Sequence, residues 1–439
     1  MKYWRLWVSL LWGIAGIIYF LRYCPASLQA DWSHDDLMNC YRAIEASYES
    51  LYQDVATFWR PTPFYRPLGQ IFYKHLFDHF HFAQFPYRLS VTILLLANAY
   101  LLGVFCWRVS GNWVSGLIAT TVAIYHPYWG HLYYNTGTIY EILAFTFVVL
   151  GLWVYREARE KPWVALPVVL CFVLAINAKE SGIVLAPLIV LYELIWHRRI
   201  PRRVATCLVV ASLAFIVGRV YGPSGVSSIG MYRPQYNIET YLLRFQEYFG
   251  HLVLWKSAPV WACLALCALP TLTRQKLGFF AALLFPLAIL PLAFVPSRGL
   301  EAVYIASASL ALGFASFALI LPKESLRLVF AVVLWFVVLQ WFPPSLNQGG
   351  WGTEQRDIRA FHEQLRALVP QMPSNVQIRF EKEPFTADTP WASIFATRLA
   401  YRDLTIRVAG EHNPHGKEYS RADDFLVFTW EAGKLKRLK

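Results

Sequence analysis

Two adjacent carboxylates, Asp35 and Asp36, and an arginine in the tripeptide Tyr65-Arg66-Pro67 stand in the first long polar passage of an otherwise apolar chain. Ser33, three residues before Asp36, makes a capping-box pattern, so the acidic pair should open a helix. A helix N-terminus favours the ionised carboxylate. At a lipid–water boundary that group can accept a proton from a hydroxyl, or hold a divalent cation through its oxygens. Arg66 offers a guanidinium fork to a phosphate oxygen. Lys179-Glu180, in INAKESG, splits two apolar runs with a tight polar hairpin, where ionisable groups are costly unless paired or functional. Arg298 and Glu301, ahead of Tyr304, form a similar cluster. Secondary candidates are His126 and Glu141 around the second polar loop, Tyr65 beside Arg66, and Arg233, whose Tyr232-Arg233-Pro234 repeats the earlier tripeptide. Plainer accounts stand beside these. Acidic residues favour the first turn of any helix, interfacial arginines snorkel to headgroups, and hairpin charges can simply be solvated.

The elements that must position these groups are mostly apolar. The chain has 439 residues, 56% hydrophobic and 15% charged, with several apolar runs long enough for a hydrocarbon core of roughly 30 Å. That describes a polytopic all-α membrane domain. The formal charge of +12 falls largely in short basic clusters between apolar runs, the pattern that sets membrane topology rather than one that binds nucleic acid. Eleven spans are expected, near 4–21, 88–107, 113–126, 139–155, 162–176, 182–196, 204–221, 257–271, 277–295, 302–321 and 326–342. The first reads as a retained anchor. With the N-terminus inside, the basic connections become cytoplasmic and the Asp35 loop faces outward. Within that loop Leu37, Tyr41, Ile44, Tyr48 and Leu51 recur at helical spacing, which predicts one amphipathic helix on the membrane surface. Residues 1–344 thus form the membrane domain, with a candidate catalytic first outer loop at 22–87. Residues 345–439 change character and predict a small α/β domain on the outer face, ending in a solvated basic tail. Among the seven cysteines there is no CxxC, and spacing leaves open whether Cys24 and Cys40 of the first loop are bridged.

The order of the fragments carries a resemblance. An early acidic pair, YRPL before a span, a His-Pro loop, KESGI with LYEL after it, and RGLEAVYIAS late in the membrane region follow one another over roughly residues 1–340. This order resembles the polytopic GT-C glycosyltransferases, most of all the membrane portion of the transmembrane and tetratricopeptide-repeat O-mannosyltransferases and their bacterial relatives. The resemblance implies a sugar donor on a polyprenyl phosphate, delivered on the outer face of a bacterial cytoplasmic membrane to a glycan, lipid or protein acceptor. It implies Asp35 or Asp36 as the base, Asp35 preferred, and inversion at the anomeric carbon. Arg66, Lys179 and Arg298 would hold the donor phosphate, Glu180 would orient Lys179, and the prenyl chain would lie in a groove open to lipid. No cofactor is required, although a divalent cation on Asp35 and Asp36 is allowed. Two other classes use the same residues: a transporter or flippase for a lipid-linked or small polar solute, and a scaffold in which the acidic pair is only a cap. Transport through inverted repeats predicts matched halves and spans broken near the midplane, whereas these charges gather on one face.

Overall fold

In lipid a backbone can satisfy its polar groups only within its own segment, so the apolar runs become helices. The computed structural model describes residues 2–23, 25–61, 66–126, 129–222, 233–296, 298–341, 351–373, 376–412 and 425–439. All eleven apolar runs are helical there. Among the described residues six helices are long and apolar enough to cross a membrane: Gln84–Ser110, Thr136–Ala158, Glu180–His197, Arg202–Val220, Lys276–Ala293 and Leu300–Ala318. Trp7–Ile18, Trp113–Tyr125, Pro162–Ala178 and Val260–Thr273 are apolar but shorter. Length and composition thus support six of the eleven expected spans among the described residues.

Small residues let the spans approach closely, as lipid-embedded packing requires. A Cβ on Gly103 would lie 2.9 Å from the Gly116 carbonyl oxygen and 2.0 Å from Thr120 Oγ1, so helix Trp113–Tyr125 rests directly on Gln84–Ser110. Arg202–Phe215 continues as a π-helical turn, Ile216–Val220. There Gly218 meets the Trp59 carbonyl, and buried Arg219 donates to the carbonyls of Asp54 and Arg60 and to Asn177 Oδ1. These bonds tie the first polar loop onto the bundle.

The loop itself departs from expectation. The amphipathic stretch is two helices, His34–Glu45 and Tyr48–Ala56, because Ser47 caps the second with its own side chain. Its apolar face does not lie on lipid. Leu37, Tyr41 and Leu51 are buried, and His34–Glu45 packs between helices Pro67–Phe80 and Ala392–Tyr401.

Residues 376–439 contribute a four-stranded sheet: β1 (Gln377–Lys382), β2 (Arg407–Ala409), β3 (Phe425–Glu431) and β4 (Lys434–Arg437). The order is β2-β1-β3-β4, parallel but for the β3–β4 hairpin. The basic end expected as a solvated tail is thus an edge strand. Ala432 and Gly433, both at positive φ, close a tight turn, and lysines on the exposed edge discourage further pairing. Helices Trp351–Leu368 and Ala392–Tyr401 complete this unit, which docks on the Asp35 helix. Phe395 stacks on Tyr41 at 4.0 Å, Arg398 Nη1 donates to the Tyr41 hydroxyl at 2.6 Å, and His362 packs on Phe82 at 4.3 Å. Cys40 is a free, buried thiol, so it is not bridged to Cys24, which lies outside the described residues.

Candidate active site

Neighbours on a helix point about 100° apart, and the acidic pair divides accordingly. The predicted capping box forms: Asp36 N accepts nothing but donates to Ser33 Oγ at 3.2 Å, while Asp36 Oδ2 accepts from Ser33 N at 2.9 Å. Oδ1 accepts from the Tyr73 hydroxyl at 2.7 Å, and Arg88 Nη2 reaches Oδ2 at 3.3 Å. Asp36 and Arg88 are 0% and 1% exposed. Burial, then the adjacent carboxylate, pushes the Tyr73 phenol well above its usual range, which keeps it a donor. Arg88 also donates to the carbonyls of Ala30 and Asp31. Asp36 is therefore a structural anchor with both oxygens committed. Asp35 is exposed and rests against Gly137, where a glycine Cβ would lie 3.5 Å from Asp35 Oδ2. The carboxylates diverge and Asp36 belongs to Arg88, so the pair does not fit a shared divalent cation. Among the described residues no group of three or more His, Cys, Asp or Glu side chains could hold a metal.

Beside Tyr140 runs a chain of ionic pairs. Arg66 grips Glu180 with a two-pronged fork, Nε to Oε2 at 3.1 Å and Nη2 to Oε1 at 2.8 Å. Lys179, 8% exposed, pairs instead with Glu141, 4% exposed. Glu180 thus orients Arg66 rather than Lys179, because the bend between the two spans points consecutive side chains apart. Tyr140, next to Glu141, joins the two ends. Its ring lies 5.6 Å from the Arg66 guanidinium carbon. Its hydroxyl donates to Asn39 Oδ1 at 2.6 Å and accepts from Gln70 Nε2 at 2.6 Å. Asp35 rests against Gly137, three residues before Tyr140 in the chain.

The cluster opens onto a cavity of about 340 Å³. Lys179, Glu180 and Arg298 line its polar end, while Phe215, Val220, Leu290 and Phe294 line the rest. Through Ile183, Leu290 and Pro291 it continues into an apolar groove of about 590 Å³ between the spans Glu180–His197, Arg202–Val220 and Lys276–Ala293. At the far end of the bundle, buried Glu193 is closed off by Arg199 at 2.8 Å and Arg159 at 3.7 Å.

Of the candidates from sequence, Arg66 pairs with Glu180 and Lys179 with Glu141, Arg298 shares a cavity with Lys179 and Glu180, and Asp35 stands against Gly137 at the head of the Glu141 helix. Arg233 is exposed beside Pro234 of the cavity wall. His126 is buried elsewhere, its Nε2 2.7 Å from the Leu252 carbonyl oxygen. Tyr65 lies outside the described residues. Sequence reasoning missed Arg88, Tyr140, Gln70 and Asn39. Arg88 alone left a signal, a cation at the head of an apolar run, which implies a buried partner. No protein-family model matches the chain, and no curated protein does.

Proposed function

We propose that the protein is a membrane glycosyltransferase that moves a sugar from a polyprenyl-phosphate carrier to an acceptor hydroxyl. One observation carries this reading: Lys179, Glu180 and Arg298 rim a cavity that turns mainly apolar and runs on between candidate membrane spans. An anionic head on a long hydrocarbon chain matches that change of polarity. Asp35, exposed at its helix N-terminus, takes the proton of the acceptor hydroxyl. The hydroxyl oxygen then attacks the anomeric carbon from the side opposite the phosphate. The bond from that carbon to the phosphate oxygen breaks, and its electron pair leaves with the phosphate. The leaving group needs no proton but gains from cations, which Arg298, Lys179 and Arg66 supply. A single displacement inverts the anomeric centre. On this reading the Asp35 end of the bundle faces the bacterial periplasm, the C-terminal unit lies outside, and the four shorter apolar helices and Glu324–Trp341 also cross, giving eleven spans.

Transport would need a path through the other end, where buried Glu193 is paired with Arg199 and Arg159. The test is purified protein in vesicles with a panel of polyprenyl-phosphate sugars, following release of polyprenyl phosphate and the anomeric configuration of the product. Inverted product that disappears in Arg298→Ala and Asp35→Asn is expected. Turnover unchanged in both variants, or solute flux without transfer, would overturn the proposal.

A further inference from the structure

Three helices meet at one buried polar knot, and each carries a group that sugar transfer would use. Asn39 lies four residues after Asp35 on His34–Glu45, so the two share a face. Gln70 closes the first turn of Pro67–Phe80, its N donating to the carbonyl of Arg66 at 3.3 Å. Tyr140 precedes Glu141, the partner of Lys179, on Ile139–Ala158. The Tyr140 hydroxyl joins them, donating to Asn39 Oδ1 at 2.6 Å and accepting from Gln70 Nε2 at 2.6 Å. Gln70 Nε2 also donates to Asn39 Oδ1 at 3.2 Å, and all three side chains are buried.

Stability does not explain the knot. Gln70 Oε1 is buried and has no hydrogen-bond partner among the described residues. An unsatisfied buried carbonyl destabilises a fold, whereas an apolar side chain of the same shape is often neutral or stabilising in its place. A leucine would fill the space of Gln70 without stranding an oxygen. What the amide does supply is direction, since its NH2 is bonded to the Asp35 helix through Asn39 and to the Glu141 helix through Tyr140. The Asp36–Arg88 anchor of the same acidic helix leads instead to Gln84–Ser110, which bears none of the cations assigned to the donor phosphate.

We propose that Asn39, Gln70 and Tyr140 are positioning residues, a knot that holds the base Asp35 at a fixed separation from Arg66 and Lys179. The inference rests on the transferase reading above and adds what keeps its two halves in line. In a single displacement the attacking oxygen and the departing phosphate oxygen stand on opposite sides of the anomeric carbon, so base and cations must be spaced to match. A misplacement of about 1 Å costs up to about 10²-fold in rate. The knot does not line the cavity at Lys179, Glu180 and Arg298, so donor affinity should not depend on it.

The test uses the full-length protein in vesicles, with the polyprenyl-phosphate sugar that the wild type turns over fastest. Gln70→Leu and Tyr140→Phe are compared; the second keeps the ring beside Arg66 and leaves the bond from Gln70 to Asn39 in place. Each should lower kcat about 10–100-fold and leave the donor KM within about two-fold, while the unfolding midpoint of Gln70→Leu stays at or above that of the wild type. Adding Asn39→Ala to Tyr140→Phe should lose no further turnover, because the two side chains act as one unit. Undiminished kcat in either single variant overturns the proposal. So does a Gln70→Leu protein with a lowered midpoint, or a kcat loss matched by an equal rise in KM, since either assigns the knot to the fold alone. A wild type that transfers no sugar refutes the transferase reading and this role with it; a wild type that transfers, with variants that transfer as fast, refutes this role alone.

Discussion

Asp35→Asn and Asp36→Asn change adjacent residues in the same way and should fail differently. Asp36 is wholly buried, and its carboxylate holds Ser33 N, Ser33 Oγ, the Tyr73 hydroxyl and Arg88. An amide turned with its oxygen in the Oδ2 position can still accept from Ser33 N, and its NH2 can donate to the Tyr73 hydroxyl, but it carries no charge. It therefore leaves Arg88, 1% exposed, without its counter-charge. Breaking a buried pair from one side costs about 3–5 kcal/mol, a large fraction of a typical domain's stability. Asp35 is exposed near a helix start, where Asn is well tolerated, and surface changes usually stay within about 0.5 kcal/mol. As a general base, however, its loss should slow transfer by about 10²–10⁴-fold. The assay pairs thermal unfolding in detergent with release of polyprenyl phosphate. Asp36→Asn should fall sharply in unfolding midpoint, and Asp35→Asn should keep its midpoint and lose turnover. An Asp36→Asn protein as stable as wild type would refute the anchor assignment, and full turnover in Asp35→Asn would remove the base.

Other consequences follow from the same contacts. Lys179→Met strands buried Glu141 and should cost about 3–5 kcal/mol; adding Glu141→Leu should restore most of the unfolding midpoint but not the transfer rate, and equal stability of single and double variants would count against the pair. Gly69→Ala places a methyl 2.1 Å from Tyr140 Cε1, in a ring held by Asn39 and Gln70, so about 1–3 kcal/mol of overpacking is expected, visible as a lowered midpoint that Gly69→Ala/Tyr140→Leu partly recovers. His362 is pulled down to about 4, by burial first and then by Arg366, from an ordinary value of 6.5. The unfolded chain therefore binds the proton first, and stability should fall as pH drops from about 6.5 to about 4, by up to about 3 kcal/mol. His362→Phe should flatten that slope, and an unchanged pH profile would refute the cause.

Much of this architecture is written locally. The Ser33–Asp36 cap formed as spacing predicts, since both its partners lie within one helical turn. Strands β1, β2 and β3 fall near the alternating segments that signal them. The split between Glu45 and Tyr48 was also legible in Ser47, but the apolar spacing runs on across it and masks the break. The hairpin that pairs β4 was harder to see, because Lys434–Arg437 reads as polar and only the Ala432-Gly433 turn brings it back onto β3.

By itself the sequence determined a helical membrane protein, its capped acidic helix, a small sheet at the end, and a short set of ionisable residues too costly to place in lipid without partners. Only the tertiary structure decided which carboxylate is buried and which is exposed, that Glu180 serves Arg66 while Glu141 serves Lys179, and that Arg298 shares a cavity with Lys179 and Glu180. Hydropathy and periodicity are properties of neighbours in sequence, so they survive in the one-dimensional pattern. Ion pairs join residues as far apart as Arg66 and Glu180, 114 positions away, and their energy depends on which groups the packed bundle desolvates together.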